Sequence, residues 1–213
     1  MITNAETASK VAEFLLQIKA VKLQPRNPFI WASGWKSPIY CDNRKTLSYP
    51  KVRTFIRQQF VNAINAGFPK PDCIAGVATG AIAHGVLVAE EMGLPFVYVR
   101  PEPKKHGLGN QVEGEIKPGQ NVVVIEDLIS TGGSSLKAVE ALKDAGCEVK
   151  GMVAIFTYGF QTAEENFRNA GVPLITLSDY PHLIRQALKD NYITEQDLET
   201  LDQWRKSPDT WGI

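Results

Sequence analysis

Two adjacent carboxylates, Glu126 and Asp127, follow the apolar run Val122, Val123, Val124 and Ile125. Leu128, Ile129 and Ser130 then lead into Thr131-Gly132-Gly133-Ser134-Ser135, and an alanine-rich helical pattern continues to Ala145. A buried strand that ends in acids and turns through glycines and hydroxyls into a helix offers two kinds of contact. The unpartnered N–H groups of a helix N-terminus favour an anion, above all a phosphate. The carboxylates repel phosphate and suit sugar hydroxyls instead. Phosphate beside diol describes a ribose 5-phosphate. A lone Thr-Gly-Gly often does no more than turn a strand into a helix. The acids shift the reading, because the carboxyl end of a buried strand is where an open sheet keeps its ligand crevice. Side chains alternate along a strand, so only one of the two acids need face the ligand directly.

Three other segments carry groups of chemical interest. Arg100-Pro-Glu-Pro-Lys104-Lys105-His106-Gly107-Leu-Gly109 follows an apolar strand pattern and places four potential cations within seven residues. Such a cluster is usually a solvated surface. On a glycine-bearing loop at a strand's carboxyl end it also suits a mobile lid that neutralises a departing anion. Gly76-Val-Ala78-Thr79-Gly80-Ala81 lies between a strand and a helix, where small residues allow either close packing or main-chain contact with a ligand. Ser33-Gly34-Trp35-Lys36-Ser37-Pro38-Ile39-Tyr40-Cys41-Asp42 reads as a hairpin with a proline turn, in which Tyr40 could stack on a flat ring. Neither G-x-x-x-x-G-K-[ST] nor a G-x-G-x-x-G after a strand pattern occurs. His84, set among Ala, Gly and Val, reads as a packing histidine, and His182 has no assigned role. The pairs Trp31/Trp35 and Trp204/Trp211 read as packing or interface residues.

The elements that must position these groups follow from periodicity. Val11, Phe14, Leu15 and Ile18 predict a helix over about 5–20, with Thr3-x-x-Glu6 as its capping box. Residues 21–49, rich in proline and tryptophan, predict short antiparallel strands and turns. A second helix starts at Tyr49. Strands are expected at 73–77, 96–99, 122–125, 149–156 and 173–177. Helices are expected near 80–92, 134–145, 162–170, 180–189 and 194–206, the last opened by Thr194-x-x-Asp197. Apolar strands without alternation, separated by helices, predict an α/β fold with a central mostly parallel sheet covered on both faces. The whole chain, 1–213, is expected to form a single domain, with a small N-terminal hood built mainly from about 21–49 and part of the C-terminal region.

Composition narrows the class. Lys+Arg and Asp+Glu both number 23, giving a formal net charge of zero, which disfavours nucleic acid or an anionic membrane as partner. Cys41, Cys73 and Cys147 are odd in number and form no C-x-x-C pair, so a disulfide scaffold or zinc site is not expected. With no long apolar run and no leader pattern, the expected location is cytoplasmic.

VVVIEDLISTGGSS resembles the phosphoribosyl-pyrophosphate (PRPP) signature of the type I phosphoribosyltransferases. The RPEPKKHG loop and the S-G-x-x-S-P hood are similar to those of orotate phosphoribosyltransferases in particular, and the matching segments span most of residues 20–160. The resemblance implies the type I phosphoribosyltransferase fold and transfer of the phosphoribosyl group from PRPP to orotate, giving orotidine 5′-monophosphate and pyrophosphate. It implies PRPP contacts from Thr79, Gly80, Arg100, Lys104, His106, Glu126, Asp127, Leu128, Ile129, Ser130, Thr131, Gly132, Gly133 and Ser134. Lys104, Arg100, His106 and Asp127 would carry catalysis, and Ser130 and Tyr40 would meet orotate. Mg²⁺ would arrive bound mainly through PRPP, with no dedicated protein metal site. A homodimer is implied, the lid of one subunit reaching its partner's site. The pattern departs from some members at Ala32, Thr79, Pro101 and Tyr158, where lysines or an arginine stand in others. The group balancing the orotate carboxylate is therefore open between Ser130, main-chain N–H groups, Arg44 and Lys36. The rival readings are a PRPP-binding regulator and a phosphoribosyltransferase for another base.

Overall fold

In the computed structural model, residues 2, 4–31, 33–102 and 111–212 are described. The chain opens with α1 (Ala5–Gln17). Four short strands follow, β1 (Val21–Leu23), β2 (Phe29–Ile30), β3 (Lys36–Ser37) and β4 (Ile39–Cys41), then a 3-10 turn (Asn43–Ser48) and α2 (Pro50–Gly67). From there strand and helix alternate: β5 (Cys73–Val77), α3 (Ile82–Met92), β6 (Phe96–Val99), β7 (Val112–Glu113), β8 (Asn121–Ile129), α4 (Gly133–Asp144), β9 (Glu148–Thr157), α5 (Gln161–Asn169) and β10 (Leu174–Asp179). The helices α6 (Tyr180–Lys189) and α7 (Glu195–Lys206) complete the order.

Six strands form one sheet in the order β10-β9-β8-β5-β6-β7, parallel except where β7 runs against β6. All five residues of β5 are buried, as are Val122 to Glu126 of β8, because both faces of the sheet are covered. The helices α1, α2, α3 and α6 contact one another and the strands, while α4, with α5 on it, lies against β6, β8 and β9. The expected α/β architecture is thus found, and β5 and β6 have the expected bounds.

Some local expectations differ. The side chain that caps α1 belongs to Asn4, whose Oδ1 accepts from Thr7 N–H at 2.7 Å. The expected Thr3 lies outside the described residues. The capping box Thr194–Asp197 is present at α7. β8 runs four residues beyond the apolar stretch, because Glu126, Leu128 and Ile129 keep their pairing with β9. β7, between the strands expected at 96–99 and 122–125, completes the edge beyond β6.

The segment 21–49 forms two antiparallel pairs, β1–β4 and β2–β3, as its turn-rich sequence predicts. C-terminal residues meet it: Trp31 packs edge-on against Trp204, Lys36 Nζ donates to the Gly212 carbonyl, and Arg26 pairs with Asp197 at 3.5 Å. No helix among the described residues is long and apolar enough to cross a membrane.

Candidate active site

The two acids at the end of β8 do different things. Glu126 is buried and both its oxygens are engaged: Ser135 Oγ donates to Oε2 and the Asp127 N–H to Oε1, each at 2.8 Å. Burial, reinforced by the neighbouring Asp127 charge, pushes the Glu126 carboxyl well above the usual range. Asp127 is half-buried, and burial raises its carboxyl too, offset by the hydrogen bond with Glu126 and by the Arg44 charge. Both acids thus resist ionisation, Glu126 more strongly than Asp127. The Asp127 main chain is fixed on its other side by Asn43, whose Nδ2 donates to its carbonyl. The Asp127 carboxylate also lies against Gly80, where a β-carbon would overlap it. Thr79, exposed beside Gly80, follows a cis peptide bond from Ala78.

The loop after β8 turns at Gly132, which has φ +82° and serves as N-cap of α4 with no side-chain cap. A β-carbon there would strike the Phe167 ring, so both the backbone conformation and the space behind it require glycine. Gly133 and Ser134 are exposed in the first turn of α4, leaving their N–H groups to an external anion. The Thr131 carbonyl accepts from Asn166 Nδ2 at 2.9 Å, which fixes the loop from α5. Ile129 is wholly buried, and its carbonyl accepts from the Tyr158 N–H, so its side chain serves the core.

A cleft of about 390 Å³ opens where the ends of β5 and β6 meet the start of α4, lined by Ala78, Arg100, Gly133, Ser134 and Lys137 among others. Arg100 is held at its root: its N–H donates to the Gln111 carbonyl at 2.9 Å, Gln111 Nε2 donates back at 2.8 Å, and its guanidinium meets Glu113 at 3.4 Å. Lys104 and His106, the other expected lid cations, lie outside the described residues.

On the other side of the β8 terminus a pocket of about 260 Å³ is lined by Ile30, Trp31, Tyr40, Cys41, Leu128, Ser130 and Tyr158. Its walls are aromatic: Trp31 lies 5.2 Å from the Tyr158 ring, and Trp31 Nε1 donates to the Ile39 carbonyl at 3.0 Å. Burial holds the Tyr158 hydroxyl and the Cys41 thiol protonated, both well above their ordinary values. No lysine or arginine is among the described residues lining this pocket. Arg44 instead pairs with Asp42 at 2.7 Å, and Lys36 reaches Gly212, so neither enters it. Ala32 lies outside the described residues.

The structure therefore gathers Tyr40, Leu128 and Ser130 at one pocket, and Arg100, Gly133 and Ser134 at the neighbouring cleft. Asp127 and Gly80 touch one another at the same end of the sheet. Sequence reasoning missed Asn43, Ser135, Lys137 and the pocket role of Trp31. Lys137 sits one helical turn after Gly133, a spacing that could have pointed to it. Asn43 acts on Asp127 from 84 positions away and gives no local signal, whereas Ser135 ends the Thr131–Ser135 run and lies only nine positions from Glu126. Among the described residues no group of three or more His, Cys, Asp or Glu could hold a metal ion.

Residues 47–174 match the model of a family described as phosphoribosyl transferase domain. The orotate phosphoribosyltransferase of Porphyromonas gingivalis is 62% identical over 203 residues, covering 95% of this chain and 97% of that one. That of Listeria monocytogenes is 56% identical, again over 95% and 97%. Among solved structures, orotate phosphoribosyltransferase from Aeropyrum pernix superposes with a TM-score of 0.74 at 28% identity, over 86% of this chain and 99% of that one. UMP synthase from Leishmania donovani gives a TM-score of 0.78 at 27% identity over 93% of this chain, which spans 42% of that longer protein.

Proposed function

The chain belongs to the orotate phosphoribosyltransferase family, and from that premise we propose how its residues divide the reaction. The chain is an enzyme that transfers the 5-phosphoribosyl group of PRPP to orotate, giving orotidine 5′-monophosphate and pyrophosphate in pyrimidine biosynthesis. The observation that carries the division of roles is the placing of the two cavities on either side of the β8 terminus, with Asp127 at that terminus.

The 5′-phosphate takes the loop from Ser130 to Ser134 through main-chain N–H groups and hydroxyls, with Leu128 and Ile129 setting the loop's approach. Asp127 accepts from the ribose hydroxyls, and Glu126 supports it from beneath. Orotate lies in the aromatic pocket against Tyr40 and Trp31, with Ser130 at its edge. The pyrophosphate occupies the cleft beside Thr79 and Gly80, met by Arg100 and, from the lid, by Lys104 and His106. Bond breaking at ribose C1 builds positive charge on the ring and negative charge on the departing pyrophosphate. The chain then acts by alignment, by charge neutralisation at the leaving group and by exclusion of water.

Mg²⁺ is proposed to enter with PRPP, and when bound it offsets pyrophosphate charge. The donor set suits that mode: Asp127 is a single presented carboxylate, and Glu126 is already engaged. A homodimer with the lid crossing between subunits, and a cytoplasmic location, complete the proposal. Three free cysteines, two of them buried, accord with a reducing compartment.

A spectrophotometric assay of orotate loss with PRPP and Mg²⁺ tests the reading, with uracil, adenine and hypoxanthine as competing bases. Consumption of orotate in preference to the other bases is expected. Preference for a purine would overturn the assignment of the pocket.

A further inference from the structure

His84 is one of the most buried polar residues of the chain, 1% exposed in the first turn of α3. Its Nε2 lies 3.0 Å from Thr46 Oγ1, and that hydroxyl donates to the Asn43 carbonyl. A hydroxyl has one proton, so Thr46 must accept from His84, and the ring is the Nε2–H tautomer. Nδ1 then carries the lone pair, and it is buried with no hydrogen-bond partner among the described residues. Asn43 uses both ends of its amide. Nδ2 donates to the Asp127 carbonyl, and Oδ1 accepts from Cys41 Sγ at 3.2 Å. Asn43 and Thr46 are both fully buried.

The chain of contacts joins four elements: α3, the 3-10 turn, the end of β4 that lines the base pocket, and the end of β8. It spans 38 positions between Thr46 and His84 and 84 between Asn43 and Asp127. Where it meets β8 the sheet is incomplete. β5 pairs with β8 no further than Gly76–Ile125, so Asp127 lies beyond the reach of that strand and takes its main-chain bonds from side chains. α3 itself begins just after Thr79 and Gly80, the loop that lies against the Asp127 carboxylate.

A residue needed only to fill space here would be a leucine, which buries no bare acceptor. With Nδ1 unpaired, the ring's one hydrogen bond is the one through Nε2–H, and that bond offsets part of the cost of burying it. We propose that His84 is a positioning residue, acting through Thr46 and Asn43 to fix Asp127 against the ribose site and Cys41 against the base pocket. Buried polar networks with one satisfied arrangement specify geometry in this way. The inference rests on the phosphoribosyl-transfer reading of the site.

The test compares four variants with wild type, using initial rates at varied PRPP and at varied orotate. His84→Leu removes the donor, and His84→Gln carries an amide nitrogen to the position of Nε2. Thr46→Val and Thr46→Ser remove and keep the hydroxyl. His84→Leu and Thr46→Val should each lower kcat/KM for PRPP by about tenfold, the kinetic equivalent of one buried hydrogen bond. Their combination should do no more than either alone. His84→Gln and Thr46→Ser should return to within about threefold of wild type. A folded His84→Leu protein with wild-type kinetics, or losses that multiply in the double variant, would overturn the relay. If His84→Leu does not fold, the Thr46→Val and Thr46→Ser pair decides, and equal kinetics for the two would overturn it. Orotate turnover by the wild type reports on the underlying reading, and the ratio of variant to wild type reports on the relay.

Discussion

Gly80 and the Asp127 carboxylate are in direct contact, with no room for a methyl group between them. The loop before α3 and the strand that presents the acid are therefore fitted to one another. Gly80→Ala should displace the carboxylate from the ribose hydroxyls and lower kcat/KM for PRPP by about a hundredfold, the effect of a misplaced catalytic group. Thermal unfolding measured beside the rates should show a much smaller change. Activity within a few-fold of wild type would mean that Asp127 can move without consequence.

The two acids should not be equivalent in mutagenesis. Burial raises the Glu126 carboxyl well above the usual range, and it already accepts from Ser135 and Asp127, so Glu126→Gln keeps its shape and much of its bonding. Asp127→Asn removes the presented charge. The second substitution should reduce kcat/KM at least about tenfold more than the first, a difference of about 1.4 kcal/mol in transition-state stabilisation. Equal losses would place a charge on both residues.

His84 makes the stability of the fold sensitive to acid. Burial, assisted by the Arg53 charge, lowers its pKa from 6.5 to about 4. Between those values the unfolded chain binds a proton that the folded protein refuses, so this contribution is complete above pH 6.5 and is lost as the pH falls towards 4. The window is worth about 3 kcal/mol. Glu126 and Asp127, both raised, work in the opposite direction. Comparing urea unfolding of wild type and His84→Gln from pH 7 to 4.5 cancels them. The wild type should lose stability relative to the variant as pH falls, and parallel curves would remove His84 from the acid response.

The lid proposal predicts complementation. Lys104→Ala and Asp127→Asn should each be nearly inactive, for different reasons. Mixed under conditions where subunits exchange, they should recover up to about a quarter of wild-type activity, since a mixed dimer holds one site with both wild-type residues. Mass spectrometry of the mixture verifies exchange. No recovery from exchanged subunits would assign each lid to its own site.

The parts legible in sequence were those written into contiguous residues. Four apolar residues followed by two acids and a glycine turn announced β8 and the loop into α4, and β5 and β6 were found at their expected limits. The full length of β8 was hidden, because Glu126 and Asp127 interrupt the apolar pattern while the strand still pairs with β9. β7 was hidden because two residues have no period, and the pairing is decided by the open edge of β6. His84 read as packing since nothing near it in sequence is polar. Its partner arrives from Thr46, in an element that local pattern could only describe as turns. The base pocket was half legible: Tyr40 stood out, whereas Trp31 and Tyr158 meet only after the hood closes over the end of β9.

Gly132 sets a limit on how this site can be remodelled. Gly132 itself is held by its left-handed backbone and by the Phe167 ring immediately behind it. A wider loop for a bulkier anion would have to begin with a smaller residue at 167, on α5 and away from the ligand. The residue at 132 would still be confined to the few types that tolerate a positive φ. The route to a new specificity thus starts behind the site, and a screen confined to ligand-contacting positions would not find it.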